Sequence, residues 1–237
     1  MIGQFLIRYI FVFLYNNKYY KNSDLLKIIN TEDYQNKLNT YIDSKTLLVI
    51  FIVAIIFIPI LYIQYKNYKK YNKLEILNVF KVIVIGICIS LIYNILLIIF
   101  FCGYSIPSIP LYVQIISSGI IGPILEEVLF RGIVYNKLKE FNSTKKAMII
   151  STIIFVFFHT RFIDALYTLL IGYLFTYIYE KTNNLKYPLI MHMSANTIII
   201  ILSPIILGQS FVMNIEFLIF LIFGLILIFS ISKKDVI

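Results

Sequence analysis

Both histidines of the chain, His159 and His192, lie in apolar stretches, as do the adjacent carboxylates Glu126 and Glu127 and the base Arg131. Three further ionisable groups, Lys81, Asp164 and Glu216, sit near the ends of such stretches, where a side chain can snorkel to the interface. The first five cannot snorkel so easily, and an ionisable group inside an apolar run is costly unless it is paired or lines a wet cavity. Glu127 and Arg131 are spaced i, i+4 with the acid N-terminal to the base, the favoured order for a pair on one helix face. Glu126 is i, i+5 from Arg131 and points elsewhere, because successive helical residues are turned by about 100°. The economical arrangement is a self-neutralising Glu127–Arg131 pair with Glu126 directed into a cavity. The competing arrangement is a buried ion cluster that only fixes helix packing.

His192 and Asn196 are also i, i+4, presenting an imidazole and an amide side by side, and Phe155 lies one turn before His159. A single histidine in an apolar helix is more often a hydrogen-bonded core residue than a catalyst. Two histidines, an amide and two carboxylates on three neighbouring segments are harder to explain in that way. Pro123, three residues before Glu126, removes a helix hydrogen bond and in an α-helix frees the carbonyl of Gly119. With Ser117, Ser118 and Gly122 it permits a kink and close helix approach. Carboxylate, imidazole, amide and a cavity water are the parts of a peptide-bond hydrolase: the acid deprotonates water, and neutral donors stabilise the oxyanion.

These residues must be carried by membrane helices. The chain has 237 residues, 60% hydrophobic and only 14% charged, and its mean hydropathy is +0.87. Soluble domains carry about 25% charged residues, so a soluble, secreted disulfide scaffold, a disordered tail and a nucleic-acid-binding domain are set aside as readings. The net charge of +9 comes from lysines clustered between apolar runs, a topology signal. Cys88 and Cys102 are 14 residues apart, about 21 Å along a helix, too far for a disulfide. The expected fold is an all-α polytopic bundle of seven or eight spans. Seven segments qualify or come close: Thr46–Ile63, Val79–Phe101, Leu111–Tyr135, Ala147–His159, Ile163–Tyr179, Tyr187–Ile206 and Phe211–Ile231. The stretch Ile2–Tyr15 is apolar but only 14 residues long, with Arg8 inside it, and reads equally as an eighth span or an interfacial helix.

Alternate loops are basic. Gln64–Asn78, Asn136–Lys146, Glu180–Lys186 and the tail with Lys233 and Lys234 carry lysines, whereas Cys102–Pro110 and Leu207–Ser210 have neither Lys nor Arg. The basic loops and the C-terminus are therefore expected on the cytoplasmic side of the cell membrane. Asn16–Lys45, treated as an outside connection, fits less well because it holds five lysines. At about 1.5 Å of rise per residue, Glu126 and Asn196 come about 14 Å from the cytoplasmic ends of their segments, His192 about 8 Å and His159 about 18–20 Å. One polar pocket can then collect all four.

The same residues resemble a known family. Glu126-Glu127-Val-Leu-Phe-Arg131 matches the EExxxR motif of the CAAX-protease and bacteriocin-processing (CPBP, or Abi) intramembrane endopeptidases. Phe155-Val-Phe-Phe-His159 matches their FxxxH motif and His192-Met-Ser-Ala-Asn196 their HxxxN motif. Gly172, the turn Thr182–Leu185 and Pro188 are similar to that family as well, so the resemblance covers about 111–206. It implies three parts: accessory helices in 1–110, the catalytic core in 111–206 and a last helix in 207–237. It implies Glu126 as the base that activates water, with His159 helping to hold that water. His192 and Asn196 would form the oxyanion site, and Glu127 and Arg131 its structural support. It implies a peptide or protein substrate reached from membrane lipid, no nucleic acid, and a role in bacteriocin maturation or self-immunity. No cofactor is expected, although Glu126, His159 and His192 would be the three ligands if a catalytic zinc were used. A non-catalytic immunity or scaffold protein that binds a peptide, and a small transporter, are the readings from other classes. No inverted repeat supports the transporter.

Overall fold

The computed structural model describes residues 2–19, 28–66, 73–101, 110–158, 165–207, 215–219 and 221–222. All described elements are helices: α1 (Ile2–Tyr19), α2 (Glu32–Lys66), α3 (Ile76–Phe101), α4 (Leu111–Phe141), α5 (Thr144–Phe158), α6 (Ala165–Thr182) and α7 (Lys186–Leu207). Among the described residues three segments are long and apolar enough to cross a membrane, Ile76–Ile98, Leu111–Phe141 and Lys186–Ile206. The expected span Thr46–Ile63 falls on α2, and the described parts of Ala147–His159 (to residue 158) and Ile163–Tyr179 (from residue 165) fall on α5 and α6, while most of Phe211–Ile231 lies outside the described residues. Ile2–Tyr15 is helical, within α1.

One boundary differs from the apolar pattern. Residues 32–45 were expected in a connection, yet they are the first turns of α2. The Thr31 hydroxyl accepts from the Tyr34 amide at 3.4 Å, Glu32 and Asp33 occupy the first turn, and Lys37 bridges Asp33 at 2.7 Å. A cap, acids at the positive helix end and an i, i+4 pair suffice to start a helix in a polar stretch. On its inner face α2 holds α1 through Tyr15, Tyr34, Leu38 and Ile42, and the Tyr34 hydroxyl donates to Asn16 Oδ1 at 2.6 Å.

Three helices form the core around the site. Val82 and Ile85 of α3, Ile171, Phe175 and Ile178 of α6, and Tyr187, Met191 and Ala195 of α7 make one buried cluster. Helices α3 and α7 approach closely at Gly86, where an added Cβ would lie 2.6 Å from the Met191 carbonyl oxygen and 2.9 Å from Ser194 Oγ. Small residues at such crossings let helices pack where lipid supplies no hydrophobic drive. Gly86→Val is expected to cost about 1–3 kcal/mol, the usual penalty for overpacking. A lower melting temperature of the purified protein in detergent checks this.

A short turn reverses the chain between α6 and α7. Asn183 takes the left-handed conformation at φ 49°, which asparagine tolerates better than most residues after a helix end. Asn184 Oδ1 then accepts the Lys186 amide at 3.0 Å, opening α7. At the same end, Lys139 and the Tyr135 hydroxyl of α4 both bind Glu180 of α6, at 2.7 and 2.8 Å. These ties fix the depths at which α4, α6 and α7 face each other.

Helix α4 is not uniform. It is α-helical over Leu111–Gln114, Gly122–Glu127 and Asn136–Phe141, and widens to i→i+5 bonding over Ile115–Ile121 and Val128–Tyr135. Wide turns are rare in helices and gather at functional sites. Here they flank the α-helical stretch that carries Glu126 and Glu127.

Candidate active site

Among the described residues Arg131 is the largest fully buried side chain, and every nitrogen of its fork has a partner. Nη1 donates to Glu127 Oε1 at 2.9 Å, Nη2 to the Gly172 carbonyl at 3.0 Å, and Nε to Thr176 Oγ1 at 3.4 Å. The guanidinium carbon stands 4.2 Å from the Phe155 ring centre and 5.2 Å from that of Phe175. Gly172 makes this possible by close approach. A Cβ there would meet Phe155 Cδ1 at 2.8 Å and Arg131 Nη2 at 3.4 Å.

Glu127 does more than neutralise Arg131. Its Oε1 also lies 2.8 Å from His192 Nδ1, a contact across 65 residues that helix spacing does not reveal. In the tautomer with the proton on Nδ1, His192 donates to the same carboxylate oxygen that accepts from Arg131. The imidazole stacks on Phe175 with ring centres 4.7 Å apart and meets the edge of Phe155 at 6.3 Å. Its remaining nitrogen, Nε2, is thereby turned to Glu126 Oε2, 3.7 Å away. That gap exceeds a direct hydrogen bond.

The two glutamates therefore have different surroundings. The Glu127 side chain is 0% exposed and that of Glu126 is 35% exposed. Of the two carboxylates only that of Glu126 reaches the surface of the described residues. Asn196 shares the α7 face of His192 by spacing, but its Nδ2 donates to the Ser118 carbonyl on α4 at 2.9 Å. His159 lies outside the described residues, so the structure brings together Glu126, Glu127, Arg131 and His192 and anchors Asn196 beside them. Among the described residues no three His, Cys, Asp or Glu side chains gather as metal ligands; the third ligand of the zinc reading is His159.

Phe175 and Thr176 were not anticipated. With Gly172 they occupy i, i+3 and i+4 of α6, a small, an aromatic and a hydroxyl residue on one face. That pattern carries the signal, but it is common in membrane helices and decides nothing without the partner helix.

Residues 108–198 match the family model described as Type II CAAX prenyl endopeptidase Rce1-like. A Bacillus subtilis (strain 168) protein named "Putative membrane peptidase YdiL" is 35% identical over 97 residues, 41% of this chain and 39% of that protein. The "UPF0177 protein YxdF" of Lactococcus lactis subsp. lactis (strain IL1403) is 34% identical over 89 residues, 37% of this chain and 49% of that protein. The chain thus spans about two fifths to one half of the curated relatives it matches. No solved structure matches it.

Proposed function

We propose, on the premise that residues 108–198 belong to the Rce1-like family of CAAX-type membrane proteases, that this chain hydrolyses a peptide bond within the membrane using water activated by Glu126. The observation that carries this reading is the contrast between the carboxylates: Glu127 is buried against Arg131 and His192, while Glu126 is open and faces His192 Nε2 at 3.7 Å. In the reaction Glu126 takes a proton from water, and the resulting hydroxide adds to the scissile carbonyl carbon. Asn196 and His192 then hold the oxyanion. With its Nδ1–H on Glu127, His192 donates to the oxyanion from Nε2 when both ring nitrogens carry protons. Collapse breaks the C–N bond, and Glu126 returns its proton to the leaving amine. His159 helps to hold the water.

The mechanism is metal-free. If zinc were used instead, Glu126, His159 and His192 would hold it, and it would supply Lewis-acid activation of the water. The substrate is an unmodified peptide or protein, in bacteriocin maturation or self-immunity; both relatives named above are bacterial. The test is cleavage of a fluorescence-quenched library of unmodified peptides by the purified chain in oxygen-18 water. One labelled oxygen is expected in each new carboxyl group. Intact peptides, recovered from protein that still binds them, favour an immunity or scaffold protein instead.

The chain spans the cell membrane seven or eight times, with its C-terminus and the loop Asn136–Lys146 in the cytoplasm. The lysine alternation supports this orientation. A cysteine placed at Lys139 is expected to stay unlabelled by an impermeant thiol reagent on intact cells. Strong labelling would invert the topology and the depths with it.

A further inference from the structure

We infer that Asn196 is a positioning residue whose side-chain amide replaces the backbone N–H that Pro123 lacks, and so fixes the turn that carries Glu126. Ahead of Pro123 the helix is wide: the Gly122 N–H reaches back to the Ser117 carbonyl, an i→i−5 bond. In that register the next carbonyl, that of Ser118, would receive the N–H of residue 123, and proline has none. Asn196 Nδ2 donates to that same Ser118 oxygen at 2.9 Å. Ser118 is an exposed residue of α4. Polar backbone freed by proline within a membrane needs another donor, and a neighbouring helix is one source of it.

The neighbouring helix is held close enough to do this. A Cβ on Gly119 would lie 2.8 Å from Oγ1 of Thr197, the residue after Asn196. The second wide stretch of α4 uses the same device: Asn136 Nδ2 donates to the carbonyls of Arg131 and Gly132 at 3.2 and 2.9 Å. Each wide stretch is thus closed by an asparagine amide, and the α-helical turn with Glu126 and Glu127 is held between the two. An amide has two N–H groups, so Asn196 can hold Ser118 and still present one to an oxyanion. The inference rests on the proposed function only where it concerns catalysis; the hydrogen bond to Ser118 is a statement about the fold.

The experiment is a cycle of Asn196→Ala, Pro123→Ala and the double variant, each as the purified full chain in detergent. Two quantities are read: the melting temperature, and kcat against KM on a peptide selected from the quenched library. Asn196→Ala alone is expected to lower the melting temperature by about 2–8 °C. In the Pro123→Ala background the same change is expected to move it by less than about 2 °C, because the alanine supplies the missing N–H. There it should also recover at least about tenfold of the lost kcat, with KM little changed. If Asn196→Ala does not fold alone, a folded double variant reads the same rescue. Additive losses in melting temperature would overturn the inference. Rescue of melting temperature with kcat left at the single-variant level would overturn the positioning role. If the wild-type chain cleaves nothing, the proposed function fails, and the melting temperatures still decide the bond to Ser118.

Discussion

Glu126→Gln should leave a folded protein that still binds its peptide but cleaves it at least about 100- to 10,000-fold more slowly, the usual contribution of a general base. The amide keeps the size of the side chain and its ability to face His192 Nε2, 3.7 Å away, and loses only the capacity to accept a proton from water. Glu127→Gln should behave differently. Glu127 is fully buried between Arg131 and His192, so its loss frees a buried cation and the imidazole together. A fall in stability should then accompany the fall in rate. Binding by fluorescence anisotropy, melting temperature and kcat, measured on both variants, separate the two glutamates.

Arg131→Ala should be the most destabilising single change in the site. Breaking a buried ion pair from one side costs about 3–5 kcal/mol, since the remaining charge has no counter-charge. Here the loss falls on several groups at once. Glu127 keeps only His192 as a partner among the described residues, its Oε2 having none there. The Gly172 carbonyl loses the donor at 3.0 Å, and the Phe155 and Phe175 rings lose the cation between them. Glu127→Gln combined with Arg131→Gln should be milder than Arg131→Ala, because no unpaired charge remains. A double-mutant cycle on melting temperature reads the coupling. Strictly additive losses would mean that the two side chains do not act as a pair.

The parts of this site differ in how openly the sequence displays them. The Glu127–Arg131 contact is local, so i, i+4 spacing and the cost of charge in an apolar run were enough to point to it. The Glu127–His192 bond joins α4 to α7, and no periodicity reports a contact of that kind. The order of the three motifs brought the residues to one place, but it did not tell which glutamate the imidazole would bind. The partner of Asn196 was hidden for another reason. Counting in α-helical register assigns the carbonyl freed by Pro123 to Gly119, whereas the wide turn moves the vacancy to Ser118. Helix boundaries followed the same logic: apolar length located the interior of α2, and the capped, charged turns before it were legible only as Thr31, Glu32, Asp33 and Lys37. His159 remains a reading of the sequence.

The central claim is that a carboxylate, and no metal, activates the water. Its most direct test is the cleavage rate of the purified wild-type chain with a strong zinc chelator present, beside Glu126→Gln without it. The wild-type rate is expected to be unchanged by the chelator and that of Glu126→Gln to fall to background. Wild-type cleavage that stops on chelation and returns with zinc, or a Glu126→Gln variant that cleaves at the wild-type rate, would contradict it.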